Sequence, residues 1–434
     1  MMPKPKISAD MFSRIQKRGD NRAALQEAAQ LAIQVEFTTI PAYLTALYSI
    51  KDLDSDAYQL LRSVVMEEMF HLNQAANLLV GIGGLPKLAG DAAPQYPTYL
   101  PGANEATTPF IGLLQASPDV FGLVFAAIEA PAPPLAPPQG SSYDTIAQLY
   151  DALKIGLERY DGPTKLFKPN PKGRPRTDIY LGKFGGHPVA VTDMKSADFA
   201  ILQIVQQGEG HAPWGKPLVP SENWGTYNYY GKRTDGTYGP IIGTPAESTH
   251  FIKFRTVALD TANFPPTSPI VSNPKMEDFT NHEARQKAEA FDIAYSVLLK
   301  ALEATFRKPP HPLFGAGDPY FGVALPLMHD VMPSLARTLM STPAFKNGDP
   351  DVGPYAAPLF SYRDDADLKK LRASVSATIA TVSELSEPQV SGDRNRVQKP
   401  GRDRKRDTER AVARDADLHL LSRASGAIEK LGVS

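Results

Sequence analysis

Leu61–Gly81 reads LRSVVMEEMFHLNQAANLLVG, and in it Glu68 and His71 stand three residues apart. The apolar residues Leu61, Val64, Leu72, Ala75, Leu78 and Leu79 recur at helical spacing, and Glu68 and His71 fall inside their stripe rather than opposite it. On a helix, residues three apart share a face, so a carboxylate and an imidazole point at one spot. A buried carboxylate costs several kcal/mol unless it is paired or bound to a cation. The placement therefore asks for a partner.

The same spacing returns in Glu247–Phe254, ESTHFIKF, as Glu247 and His250. Two further glutamates lie in apolar helical stretches of their own: Glu36 in Val35–Ile50, VEFTTIPAYLTALYSI, and Glu209 in Gln206–His211, QQGEGH. Helices carrying Glu, Glu-x-x-His, Glu and Glu-x-x-His present the ligand set of a carboxylate-bridged two-metal site in a ferritin-like four-helix bundle. One such spacing arises by chance in many proteins as a surface pair, whereas two, each preceded by a helix with an inward glutamate, do not fit that reading. Hard carboxylates with two imidazoles suit iron first and manganese second. Glu68 and Glu247 are expected to bridge or chelate, with Glu36 and Glu209 as terminal ligands.

Glu209 admits two readings. Gly208 and Gly210 each weaken a helix interior by roughly 0.8–1 kcal/mol relative to alanine, so the helix ends there, or the small flanks let the carboxylate be re-aimed. His211, about 200° further round a regular helix, does not share its face. Glu67 lies about 100° from Glu68 and reads as a surface or outer-sphere group. Thr39 and Tyr43 share the face of Glu36 and are the candidates for proton or electron relay, or else plain wall. His187, His282, His311, His329 and His419 lack ligand spacing.

Working outward, a helix is expected over Asp20–Ile50, with Pro41 disturbing one turn, and a second from Asp54/Ser55 to Gly81, joined as an antiparallel hairpin. Gly83–Asp193 reads as a long excursion with a Pro-rich link at Ala130–Gly140, a helix at Tyr143–Tyr160 and a β-like piece at Ile179–Val191. Bundle helices follow at Lys195–His211 and Glu247–Leu259, then outer helices at Asn281–Phe306 and Tyr320–Met340. Asp365–Leu385 and Glu409–Leu431 look helical, separated by a charged linker, Gly392–Arg406. The expected division is 1–345, a ferritin-like domain with insertions, and 346–434, a helical extension.

Composition narrows the chemistry. The 434 residues have no cysteine, which excludes thiolate metal sites, iron–sulfur clusters and a cysteine nucleophile. A net charge of -1 gives no nucleic acid or anionic membrane as partner. No apolar run reaches the roughly 18–20 residues that span a bilayer, and the N-terminus lacks an apolar core of signal length, so a cytoplasmic location is the default expectation. Phosphate-loop, nucleophile-elbow and H-E-x-x-H motifs are absent.

Several separate stretches carry a family resemblance: Val35–Ile50, Glu67–Leu88 (EEMFHLNQAANLLVGIGGLPKL), Tyr96–Gly102 (YPTYLPG), Ser141–Tyr160 (SSYDTIAQLYDALKIGLERY), Val191–Gly210 (VTDMKSADFAILQIVQQGEG) and Glu247–Phe254. In this order they resemble the ferritin-like domain of the iminophenyl-pyruvate dimer synthases of violacein- and rebeccamycin-type pathways, over roughly residues 20–340. The resemblance implies Glu36, Glu68, His71, Glu209, Glu247 and His250 as the matching metal positions. The pathway synthases are much longer than this chain, so imine coupling does not carry over with the fold. The expectation is a mostly α protein holding two metal ions, iron foremost and manganese as the alternative. Its expected role is an oxidase or oxygenase that uses O₂ on a small organic, amino-acid-derived molecule, with homo-oligomers allowed. The loops Gly84–Ser142 and Ala212–Pro245 would shape the substrate pocket, with Trp214, Trp224, Tyr227, Tyr229 and Tyr230 as walls or packing. The alternative is a ferroxidase or manganese-catalase-like protein without an organic substrate.

Overall fold

The computed structural model describes residues 10–131, 140–160, 162–179, 186–208, 248–308, 317–386 and 402–431. These are mostly helical: α1 (Met11–Ile15), α2 (Arg22–Ser49), α3 (Asp56–Gly81), a π-helix (Val120–Phe125) running into α4 (Ala126–Ile128), α5 (Ile146–Glu158), α6 (Pro163–Leu166), α7 (Met194–Gln207), α8 (His250–Leu259), α9 (His282–Thr305), π-turns at Tyr320–Ala324 and Leu327–Val331, α10 (Met332–Leu339), α11 (Leu368–Ser386) and α12 (Arg402–Glu429). Among the described residues, β pairing is confined to isolated bridges such as Thr98 with Ile111. The described part of Ile179–Val191 is accordingly not a strand.

Contacts group the chain into two compact units, Met1–Ser268 with Leu302–His311, and Pro269–Ala301 with Pro312–Ser434. In the first, α2 and α3 form the expected antiparallel pair. Ser55 caps α3 by accepting the Tyr58 N–H. Pro41 lacks the N–H that would reach Phe37, yet α2 runs on through it, and Thr45 donates to the Pro41 carbonyl at 2.8 Å. Both helices are buried on nearly every side, because α5, α7, α8 and the π-helix pack around them.

The buried polar residues of α3 that face away from Glu68 have structural work. Asn77 accepts the Arg176 N–H at 2.7 Å, Asn73 and Asn77 donate to the Arg176 carbonyl, and Gln74 accepts the Val189 N–H at 2.9 Å. They clamp extended chain that has no ladder of its own to satisfy its backbone. At the end of the helix Gly81 lets this chain approach, since a Cβ there would meet the Val191 carbonyl oxygen at 2.3 Å.

The second unit holds α10, α11, α12 and most of α9. Lys287, fully buried, donates to Asp417 at 2.6 Å and to Thr342 at 2.7 Å, and Glu283 lies 2.7 Å away, so a buried charge is paired on several sides. The expected charged linker ends early: Arg402–Arg406 already belongs to α12, where helix-forming Arg and Lys lead into a run free of Gly and Pro as far as Ser425.

Candidate metal centre

Glu36 comes from the middle of α2, Glu68 and His71 from α3, and His250 is the first residue of α8, whose N-cap Thr249 accepts the Ile252 N–H. All four side chains are buried, none more than 2% exposed. The structure brings them to one place. His71 Nδ1 lies 3.6 Å from Glu36 Oε2 and 3.9 Å from Glu68 Oε2, and His250 Nδ1 lies 2.8 Å from Glu68 Oε1. The two imidazoles stack with centroids 5.2 Å apart.

A fifth residue joins them. Glu129, directly after α4, sets Oε2 3.7 Å from His250 Nδ1 and is 2% exposed. Glu68 therefore stands between two pairs, with one oxygen toward Glu36 and His71 and the other toward Glu129 and His250. The pairs are matched again one step out: Tyr150 donates to Glu36 Oε1 at 2.5 Å, and Tyr43 donates to Glu129 Oε1 at 2.7 Å. Thr39 donates to Glu68 Oε2 at 3.1 Å, so both relay candidates touch carboxylates of the centre.

Each imidazole turns Nδ1 inward and is held by Nε2. His71 Nε2 donates to Gln207 Oε1 at 2.9 Å, and His250 Nε2 donates to Glu67 Oε2 at 2.9 Å. Lys253 Nζ donates to that same Glu67 oxygen at 2.6 Å. Glu67 is thus not a surface group but a buried outer-sphere acceptor, reached by α8 from the neighbouring face of α3. A ligating histidine is characteristically tied in this way through its second nitrogen.

The donor set fits cations. Two donors each roughly 2.0–2.2 Å from one ion stand about 3–4.2 Å apart, depending on the angle between them. Three of the four Nδ1–carboxylate separations, 3.6, 3.7 and 3.9 Å, fall in that interval, and the fourth, His250 Nδ1 to Glu68 Oε1 at 2.8 Å, is a direct contact just below it. His250 Nδ1 is buried without an aligned hydrogen-bond partner among the described residues, although Glu68 Oε1 is close. Donors of Glu68, His71 and His250 all lie within 4.8 Å of one another.

Without a cation the carboxylates crowd. Burial and the charge of Glu129 push Glu68 well above the usual carboxylate range. Burial also raises Glu36, but hydrogen bonds and charge from His71, with Tyr150, outweigh it and hold that carboxyl below its ordinary value. Burial pushes the His250 imidazole down, and Glu129, Glu67 and Glu68 outweigh it, so it sits well above the usual range. Burial and the neighbouring glutamates push both phenols, Tyr43 and Tyr150, well up. A cavity of ≈ 10 Å³ adjoins the centre, lined by Glu36, Glu68, His71, Glu129 and Tyr150 and by apolar residues of α5 and α7.

Glu209, Glu247, His211 and the aromatic residues of Ala212–Pro245 lie outside the described residues. The described α7 ends at Gln207, with Gly208 as its C-cap. α8 starts at His250, with Thr249 as its N-cap in extended conformation, and the expected pairing of Glu247 with His250 reaches outside the described residues.

A helical bundle with a buried, glutamate-bridged pair of Glu/His clusters is the class of protein this fold and site define. A family model described as Ferritin-like matches residues 29–257, and the chain belongs to that family. The match contains every residue of the centre. Dichlorochromopyrrolate synthase from Lentzea aerocolonigenes is 25% identical over 218 residues, which make up 48% of this chain and 20% of that protein. The chain thus spans about a fifth of this relative's length. The crystal structure of a ferritin like protein from Caulobacter vibrioides has 22% identity and a TM-score of 0.48, covering 78% of this chain and 97% of that one.

Proposed function

We propose that this protein is a di-metal oxidoreductase, with iron as the first choice and manganese as the second, acting with O₂ on a small amino-acid-derived molecule. One observation carries the reading: Glu68 is shared between Glu36/His71 and Glu129/His250, with the outer nitrogen of each imidazole already engaged. Glu68 would bridge two cations and each pair would complete one of them. When bound, such a pair of metals supplies electrons to O₂ and neutralises the carboxylates. The chain's own residues do the rest. Tyr150 and Tyr43 hold the terminal carboxylates in place, Thr39 holds the bridge, and the apolar walls of α5 and α7 keep bulk water from the centre. The similarity to dichlorochromopyrrolate synthase supports a role on an organic molecule.

A second reading, a ferroxidase or manganese-catalase-like protein, draws support from the narrowness of the ≈ 10 Å³ cavity, which admits only water-sized molecules. One experiment tests both. The 434-residue protein loaded anaerobically with iron(II) should carry about two metals per chain, the stoichiometry of such carboxylate centres, and Glu68→Ala should lose both. O₂ uptake dependent on an added aromatic amino acid or its imine supports the first reading. Peroxide disproportionation without organic substrate supports the second. Protein that emerges metal-free from loading refutes both.

A further inference from the structure

We propose that the two metal positions are unequal by construction: the one at His250 is tight and fills first, and the one at His71 is looser and accepts the exogenous ligand. This rests on the metal reading above. The two Glu/His pairs match each other, but the groups behind their imidazoles do not. His71 gives its outer N–H to the neutral amide oxygen of Gln207 at 2.9 Å. His250 gives its own to the carboxylate of Glu67, also at 2.9 Å. A carboxylate polarises the ring N–H more strongly than an amide does and leaves Nδ1 the better donor.

Lys253 makes that arrangement tolerable. A fourth carboxylate beside Glu68 and Glu129 would be a buried charge without compensation. Lys253, one turn along α8 from His250 and 3% exposed, places its ammonium 2.6 Å from the Glu67 oxygen that receives the His250 N–H. It is a positioning residue: it touches no ligand atom, and it acts through Glu67.

The cavity falls on the other side. Its walls include His71, Glu36, Glu68 and Glu129, but not His250. Ile146, Ala147, Ile204, Val205 and Gly208 complete it, and its ≈ 10 Å³ holds about one water-sized molecule. At Gly208 a Cβ would come within 3.4 Å of Glu129 Oε2, so this wall lies close against the centre. Of the two imidazoles, that of His71 borders the space where a ligand fits and that of His250 does not.

The test is an anaerobic titration of the metal-free protein with cobalt(II), followed by absorption and by calorimetry. Two steps separated by roughly tenfold or more are expected, the size of effect that outer-sphere partners exert. Lys253→Met and Glu67→Gln should weaken the first step by roughly 10–100-fold and leave the second unchanged. Lys253→Arg should restore it. Gln207→Glu, which places a carboxylate behind His71, should tighten the second step and narrow the gap, a gain that misfolding does not produce. Azide should alter the cobalt spectrum only after the second equivalent. Equal steps, a first step indifferent to Glu67→Gln and Lys253→Met, or azide binding at the first equivalent would overturn the inference while leaving the metal reading intact. No cobalt uptake by the wild-type chain would remove the metal reading and this inference with it.

Discussion

Tyr150 and Tyr43 do the same job on opposite sides of Glu68, each donating to a terminal carboxylate from a fully buried phenol. Removing one hydroxyl leaves a buried carboxylate oxygen unsatisfied, which costs about 1–3 kcal/mol. Tyr43→Phe and Tyr150→Phe should each lower the stability of metal-free protein by about that much, read from urea unfolding at fixed pH. A loss under about 0.5 kcal/mol would mean water replaces the phenol. Glu36, Glu68 and His71 were legible in the sequence because each lies in an apolar stripe where a polar group is out of place. Glu129 obeys the same logic, closing the apolar run Phe121–Ile128, FGLVFAAI, but it lies inside the stretch Gly84–Ser142 that reads as a loop. Gln207 and Lys253 gave no signal, since an amide or lysine on a short helix is ordinary until its partner is known.

The element that hid Glu129 is the π-helix Val120–Phe125. Its i→i+5 bonding departs from the 3.6-residue period on which stripe reading depends. Aromatic packing holds it in place: Phe125 and Phe254 lie 4.6 and 5.1 Å from Tyr43, and Phe121 packs on both phenylalanines. A π-turn carries one residue more than the α-helix it interrupts. Glu129→Ala should remove that terminal carboxylate while leaving the π-helix in place. Far-UV dichroism should keep its helical form while metal content falls from about two to about one per chain. Two metals retained at wild-type affinity would show that Glu129 is not a ligand. The long helices α2 and α3 were read within two residues at each end because period and cap agree. The start of α8 at His250 is harder to read, because spacing alone does not reveal that Thr249 caps the helix.

At the scale of the whole molecule, the fold class is legible in the sequence, and α9 gives its last turn to one compact unit and the rest of its length to the other. Among the described residues no helix is long and apolar enough to cross a membrane. Stability should carry a pH signature from the second unit. Burial pushes Asp292 of α9 up to about 8 from 3.8, against the Ser361 N–H and Arg363 that favour its charge. A carboxyl raised in the fold contributes stability that is complete below pH 3.8 and is lost as pH rises through about 8. The slope should be roughly 1.4 kcal/mol per pH unit at most. Asp292→Asn should flatten it, measured by urea unfolding between about pH 5 and 8; an unchanged slope would place the linkage elsewhere. Thr249 has a wider consequence. Because His250 opens its helix, the turn most prone to fray is the one that carries an imidazole of the centre. A cation gripping that ring would act as a rivet on the helix end, so loading the centre and ordering the start of α8 become one event, each strengthening the other.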